Sequence, residues 1–554
     1  MPPACHPSTP AAVSWREGLP VACLGVLAYL YLFGPATLNP LNVAWMLQGD
    51  PAQHYLGWQF FRNEPWHWPL GRITRLGIPE GTGIVFTDSI PLLALLLKPF
   101  SAFLPAEFQY FGLWMLACYL LTGYFALRLL GPFTENRALR IAAASFFLLS
   151  PPLLLRGYGH EALMAQWLLL AGIDACLRGW QWPRWFVLVL VAALVHPYLL
   201  LMMLGLLCAA NLQAGLVEPG GLMKRARQNA VILAGLVVVL FAAGHVGIKG
   251  SLAGEGYGFF SMNLAALVDS ETEPNFGHAR LVPDIPAATQ GQYEGFLYLG
   301  GGMILLGVLA IGLMLARIGP AAPARATPVW PLIAVAAVFW LLALSNEITF
   351  ARWHLFTVPL PSALLDLLSI FRASGRLGWP AFYLVTLGIL VVIVRRLPAR
   401  VALGALLAAL LLQVVDLGSH YRGLRKAIEA RTHWVTPLQS PQWQSLAAGA
   451  DRLLILPPHP RMEDLYIPFA HLAAAHGLAT NAAHTARVEP ARIEADGRGL
   501  GASLAHGGYD PRTLYVMPQR EGLAHVPPAL AGRLLELDGY HVLPPGLAFP
   551  IPAR

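Results

Sequence analysis

Charge is scarce in this chain. Only 12% of its 554 residues are Asp, Glu, Lys or Arg, against 56% hydrophobic, whereas a soluble globular protein carries about 25% charged residues. With a mean hydropathy of +0.55, the shortage excludes a wholly water-soluble protein and places most of the chain in lipid. Cysteine is scarce too. Cys5, Cys23, Cys118, Cys176 and Cys208 avoid the long polar loops and the last third of the chain, and no two form a CxxC pair. That excludes a disulfide framework and a thiolate metal site, and leaves five small apolar residues in or near spans. There is no Lys/Arg tract of nucleic-acid-binding type and no glycine-rich nucleotide motif. The net charge of +7 is the excess that cytoplasmic loops of membrane proteins collect. A cleavable leader is not expected either. Residues 1–18 carry only Arg16 against Glu17 before the apolar run, and no A-x-A-like site follows, so residues 19–36 read as a retained first span.

What is present is a succession of apolar runs near the length that crosses a bilayer. They fall at 19–36, 108–130, 140–156, 162–178, 185–196 with 197–213, 228–248, 294–316, 328–346, 378–396 and 401–417. The segment 185–213 is broken by His196-Pro197, where proline removes a helix donor, and reads as two short spans. Residues 89–105 are apolar but short, with Pro91, Pro99 and an internal Lys98. Taken as an amphipathic surface helix, they leave Arg128, Arg137, Arg140, Arg178, Arg184, Lys224, Arg225, Arg227, Arg317, Arg325, Arg395, Arg396 and Arg400 on one side. The expectation is therefore a polytopic α-helical membrane protein of about eleven spans, with residues 1–18 cytoplasmic and the C-terminus outside. The outer side holds loop 37–107, a turn at 157–161, loop 249–293, loop 347–377 and the tail. Residues 420–554 change composition, with strand-like runs at 452–456, 513–517 and 534–543 and helical ones at 464–476 and 527–536. They read as a small soluble α/β domain on the periplasmic side of a bacterial inner membrane.

The polar groups that carry chemistry gather on that outer side. Asp50 follows the first span among Trp45, His54, Tyr55, Trp58, Phe60 and Phe61. A carboxylate at the lipid–water boundary with aromatic walls suits a general base that takes a hydroxyl proton; Gly-Asp-Pro is equally an ordinary helix start. Asp88, in GTGIVFTDSIP, either caps the surface helix or binds substrate or a cation. Asp50, His54 and Asp88 show no recognised metal-ligand spacing. His160-Glu161 sits between glycines at the short turn, as a ligand site or a charged cap. His196 lies at the break between spans, where it binds substrate or satisfies a freed carbonyl. Tyr293, at the edge of the acidic loop, has a weaker claim. Arg372 and Arg376 depart from the positive-inside pattern, and outward guanidiniums suit a lipid phosphate or a headgroup.

Together these features resemble the GT-C superfamily of integral-membrane glycosyltransferases. GDPAQHYLGWQFFR, GTGIVFTDSIPLL, GHEALMAQWLLLAGI, VHPYLLLM, QYEGFLYLG and FRASGRLGWP, scattered over residues 49–380, are similar to a bacterial family of that fold. The resemblance implies transfer of a sugar from a polyprenyl-phosphate-linked donor to a glycan, lipid or protein acceptor at the outer face. It gives Asp50 the base role, places His160-Glu161 where a second acidic position falls, and makes Arg372 or Arg376 the ligand of the donor phosphate. No Asp-x-Asp motif stands on either loop, so the expected chemistry is inverting and metal-independent, with no cofactor. A flippase for a lipid-linked glycan would need ionisable groups at mid-membrane depth, and Asp174 and Asp416 lie toward span ends. A non-catalytic scaffold leaves the outer acids and arginines without a task.

Overall fold

The computed structural model describes residues 13–246, 256–270, 278–319, 327–458, 463–486 and 490–547. Cys5, most of the expected cytoplasmic N-terminus, Arg325 and much of loop 249–293 lie outside the described residues. The chain divides into two compact units. One comprises 1–38, 111–236 and 253–429; the other comprises 39–110, 237–252 and 430–554.

The first unit is helical. Six helices among the described residues are long and apolar enough to cross a membrane: Trp15–Phe33, Phe111–Leu130, Pro197–Val217, Pro219–Ala243, Ser374–Arg396 and Ala399–Asp416. Trp182–Val195, Gly301–Leu315 and Trp330–Leu344 are shorter apolar helices. Proline sets several of the breaks. The helix Arg137–Leu148 stops before Ser150, and a new one, Pro151–Arg156, starts with proline in its first turn, where its missing N–H costs nothing. At His196-Pro197 one helix ends and the next begins, with His196 Nδ1 accepting the Tyr198 N–H at 3.2 Å. Several polar side chains inside the unit have structural partners. Asp174 holds Arg128 at 3.2 Å, Arg178 at 2.6 Å and Arg184 at 2.6 Å. Asp416 accepts the Tyr298 hydroxyl at 2.6 Å and the Gly301 N–H at 2.8 Å, while Gln413 takes the Gly302 and Met303 N–H groups at 3.0 and 3.2 Å. Thus the end of one helix caps the start of another, which would otherwise bury orphan donors. The helix expected from residue 294 begins only at Gly301, and Glu294 lies in the 3-10 turn Gln290–Gly295 ahead of it.

The second unit joins residues 39–110 to the C-terminal domain. Its central helix, Asp50–Arg62, is buried at every position from Pro51 to Arg62. Short antiparallel strands Arg72–Ile73 and Thr82–Gly83 follow, then the helix Pro91–Leu97 and a 3-10 turn Lys98–Phe103. The C-terminal domain is a five-stranded sheet in the order Ala479–Thr480, Arg452–Ile455, Thr513–Met517, Tyr540–Leu543, Leu535–Leu537. The first three strands are parallel and the last two antiparallel to their neighbours. Leu454, Leu456, Leu504, Tyr515, Met517 and Leu543 form its core. Two expectations are corrected here. The run 534–543 is a hairpin, not one strand, because Asp538-Gly539 takes φ of 50° and 82°, the double left-handed turn that suits strand twist. The helix expected over 527–536 shrinks to Pro528–Ala531, stopped by Gly532. The strand Ala479–Thr480 and the helix Pro490–Ala505 were not anticipated.

Candidate functional site

In the loop-bearing unit, Gly49 turns the chain with φ 58° and ψ −149°, a region open essentially to glycine alone. The helix starts at the next residue, so Asp50 occupies its exposed first position while the twelve residues behind it are buried. A carboxylate there is favoured by the helix dipole. The helix is anchored from behind. The buried Trp58 indole donates to the Phe108 carbonyl at 3.0 Å and its ring meets Tyr110 edge-on at 5.2 Å. His54 is buried too, and its carbonyl accepts the Ser89 hydroxyl at 2.6 Å. The expected aromatic wall around Asp50 thus places His54 and Trp58 inside the fold, as packing. Gly57 lets the 84–90 segment come close, for a Cβ there would collide with Thr87 Oγ1. Within that segment Asp88, half-buried, and Ile90 both have φ of 52°. A β-branched residue in the left-handed region is strained, and such strain persists where surroundings enforce it. Ile90, not Asp88, takes the cap position of the helix Pro91–Leu97.

The helical unit gathers a second set. Glu294, 3% exposed, accepts Arg156 Nη1 at 2.7 Å and Arg376 Nε at 2.8 Å on Oε2, while Oε1 accepts Arg376 Nη2. Arg156 Nη2 also reaches the Glu294 carbonyl at 3.3 Å. His160 Nε2 stands 4.0 Å from Oε1 and 3.5 Å from Arg376 Nη2. Burial by itself would raise the Glu294 carboxyl, but the Arg156 and Arg376 guanidiniums outweigh it and hold it well below the usual carboxylate range. Two guanidiniums on one carboxylate leave a net positive centre, and His160, whose side chain is 25% exposed, is its partly open edge. Close backbone approach makes this possible: a Cβ on Gly375 would collide with Gly295.

Of the other expected residues, Arg372 is exposed, its guanidinium 5.4 Å from the Phe260 ring centre, and Phe260 lies against the half-buried Tyr293 at 6.4 Å. Arg376 is buried, stacked at 5.0 Å on Tyr198. His196 serves as the cap of the Tyr198 helix. Glu161 is buried, with its carbonyl accepting the Trp114 indole at 2.9 Å. The structure therefore brings His160 and Arg376 together around Glu294, which the sequence reading gave only a weak, loop-edge claim, and adds Arg156. The available signal was charge: Arg156 and Glu294 stand at the rims of apolar runs. Among the described residues no three His, Cys, Asp or Glu side chains gather as a metal set.

Fold and composition define a mostly helical chain of membrane-spanning type that carries a small C-terminal sheet domain. The chain belongs to the DUF6311 family: the model of that domain of unknown function matches residues 22–418, and that of the DUF6311 C-terminal domain matches residues 442–545. No curated protein matches it by sequence. Among solved structures, it is similar to the archaeal oligosaccharyltransferase AglB from Archaeoglobus fulgidus, in complex with an inhibitory peptide and a dolichol-phosphate. The TM-score is 0.41 at 12% identity, over 91% of this chain and 70% of that one.

Proposed function

We propose that this protein is a GT-C-type glycosyltransferase of a bacterial inner membrane, moving a sugar from a polyprenyl-phosphate-linked donor to a glycan, lipid or protein acceptor at the periplasmic face. The observation that carries the reading is Asp50: one exposed carboxylate at the head of a helix that is buried at every other position. A group meant to collect a proton must be reachable and rigidly aimed, and this arrangement supplies both. The strained Asp88–Ile90 segment clamped onto the same helix and the resemblance of the sequence around Asp50 support it further. We take the six long helices, the three shorter apolar ones and the segments 140–156 and 162–178 together as eleven spans, with the C-terminal domain outside.

In this reading Asp50 removes the proton of an acceptor hydroxyl, whose oxygen attacks the anomeric carbon as the bond to the carrier phosphate breaks. The phosphate departs with its charge met by arginine, the preorganised stabilisation that dominates many sites. Of the two arginines that the resemblance puts forward for the phosphate, Arg376 is already committed to Glu294 and Arg372 is exposed. The chemistry is inverting and, lacking an Asp-x-Asp motif, draws on no metal.

The test uses purified full-length protein in detergent with a polyprenyl-linked sugar extract and crude outer-face acceptors, following each lipid-linked sugar by mass spectrometry. Wild type is expected to consume one donor. Asp50→Asn is expected to slow it by about 10²–10⁴-fold. Equal consumption by both removes Asp50 from the chemistry; a donor that co-purifies unconsumed favours transport or scaffolding.

A further inference from the structure

The first outer loop and the C-terminal domain, more than 300 residues apart in sequence, are one folded body. Residues 75–78 run beside the edge strand Ala479–Thr480 and pair with it through a single β-bridge. The Thr480 N–H donates to the Arg75 carbonyl at 2.7 Å, and the Thr480 carbonyl accepts the Gly77 N–H at 2.8 Å. Leu76 and Thr480 form a parallel bridge. Arg75 Nη1 reaches the Gly477 carbonyl at 3.1 Å, and the Ala486 N–H donates to the Phe86 carbonyl at 2.8 Å. Ion pairs join Arg492 to Glu80 and His471 to Glu107, the latter at 3.2 Å. A sheet edge is a template for a further strand, and here the loop itself occupies that edge, where an extended peptide acceptor would otherwise add.

A further link ends beside the proposed base. The N–H of Gly49, the residue that turns the chain into the helix, donates to Asp464 Oδ1 at 3.0 Å. Two residues on, Tyr466 is 4% exposed. Its phenol is pushed up first by burial and then by the negative charges of Asp50 and Asp464. The backbone conformation that aims Asp50 is therefore held from the C-terminal domain.

We propose that the C-terminal domain is the clamp that fixes the first outer loop, and that Asp464 is a positioning residue for Asp50; the second half rests on the glycosyltransferase reading. Asp464 touches no substrate in this scheme. It fixes Gly49, and through it the start of the helix.

The experiment compares full-length wild type, Asp464→Ala and Asp464→Asn in detergent by hydrogen exchange and by donor consumption. Asp464→Ala is expected to speed exchange of the amides of residues 52–56 about tenfold, as loss of one hydrogen bond allows. Peptides over 452–456 and 513–517 should exchange as in wild type, which excludes unfolding of the domain. The same variant should lower kcat about tenfold with the donor KM unchanged. Asp464→Asn keeps an acceptor oxygen for the Gly49 N–H and should recover both. An Asp464→Ala protein whose helix exchanges like wild type overturns the clamp. Faster exchange with unaltered kcat overturns the positioning role. If wild type consumes no donor, it is the glycosyltransferase reading that falls, and the exchange comparison still decides the clamp.

Discussion

Asp50 and Glu294 are two carboxylates at opposite extremes of solvation. Asp50 is exposed, at the positive end of a helix dipole. Glu294 is buried between two guanidiniums that take up both its oxygens. The difference separates two uses of the same functional group. An acid enclosed by two arginines keeps its charge and cannot exchange a proton at neutral pH; it fixes the arginines. An acid in contact with water can exchange a proton with what reaches it, which is what the proposed base role of Asp50 requires.

The sharpest way to break this comparison is Glu294→Gln. It leaves Arg156 and Arg376 buried without a counter-charge, and breaking a buried pair in this way costs about 3–5 kcal/mol. Thermal unfolding in detergent should show the lowest midpoint of any single variant at the two centres. A midpoint equal to wild type would mean that solvent or another group carries the charge balance.

The next effect is in pH. The Glu294 carboxyl is depressed in the folded protein below its ordinary value of 4.5. A depressed acid contributes stability that is fully present above the unfolded value and is lost as pH falls through the folded one. Wild type should therefore lose stability below about pH 4.5, with a component that Glu294→Gln lacks. Unfolding midpoints of the two proteins from pH 7 to pH 3 should converge at the acid end; parallel curves would refute the assignment.

The smallest expected effect is at Asp50. Its replacement by Asn should cost about 0.3–1 kcal/mol, the scale of one charge at a helix N-terminus, even where turnover is lost. A large drop in midpoint would make Asp50 a structural cap and remove the contrast with Glu294.

Much of the helical architecture was readable from the residues. The break at His196-Pro197 follows from proline chemistry alone, and the structure ends one helix at Val195 and starts the next at Pro197. Arg376 was singled out because an outward arginine breaks a pattern of charge. Its partner had only a weak claim, because Glu294 stands in sequence at the rim of an apolar run, 82 residues from Arg376 and 138 from Arg156. No local periodicity connects such positions. The Asp-Gly at 538–539 was a legible hairpin signal inside an apolar run, and reading that run as one strand overlooked it. His54 and Trp58 were read as walls of a site because aromatic residues cluster there; whether a helix turns its aromatic face inward or outward is settled by what packs on it, here Tyr110 and the Ser89 segment.

The sequence by itself determined that the chain is built for lipid, where its proline breaks fall, and which outer acids and arginines were worth attention, since these follow from hydrophobicity, backbone chemistry and the distribution of charge. Only the tertiary structure decided which acid is neutralised and which is exposed, and that the C-terminal sheet takes residues 75–78 as its edge. Ion pairing and strand addition depend on distances between residues far apart in the chain, and the free energies that fix them arise only when desolvated groups meet.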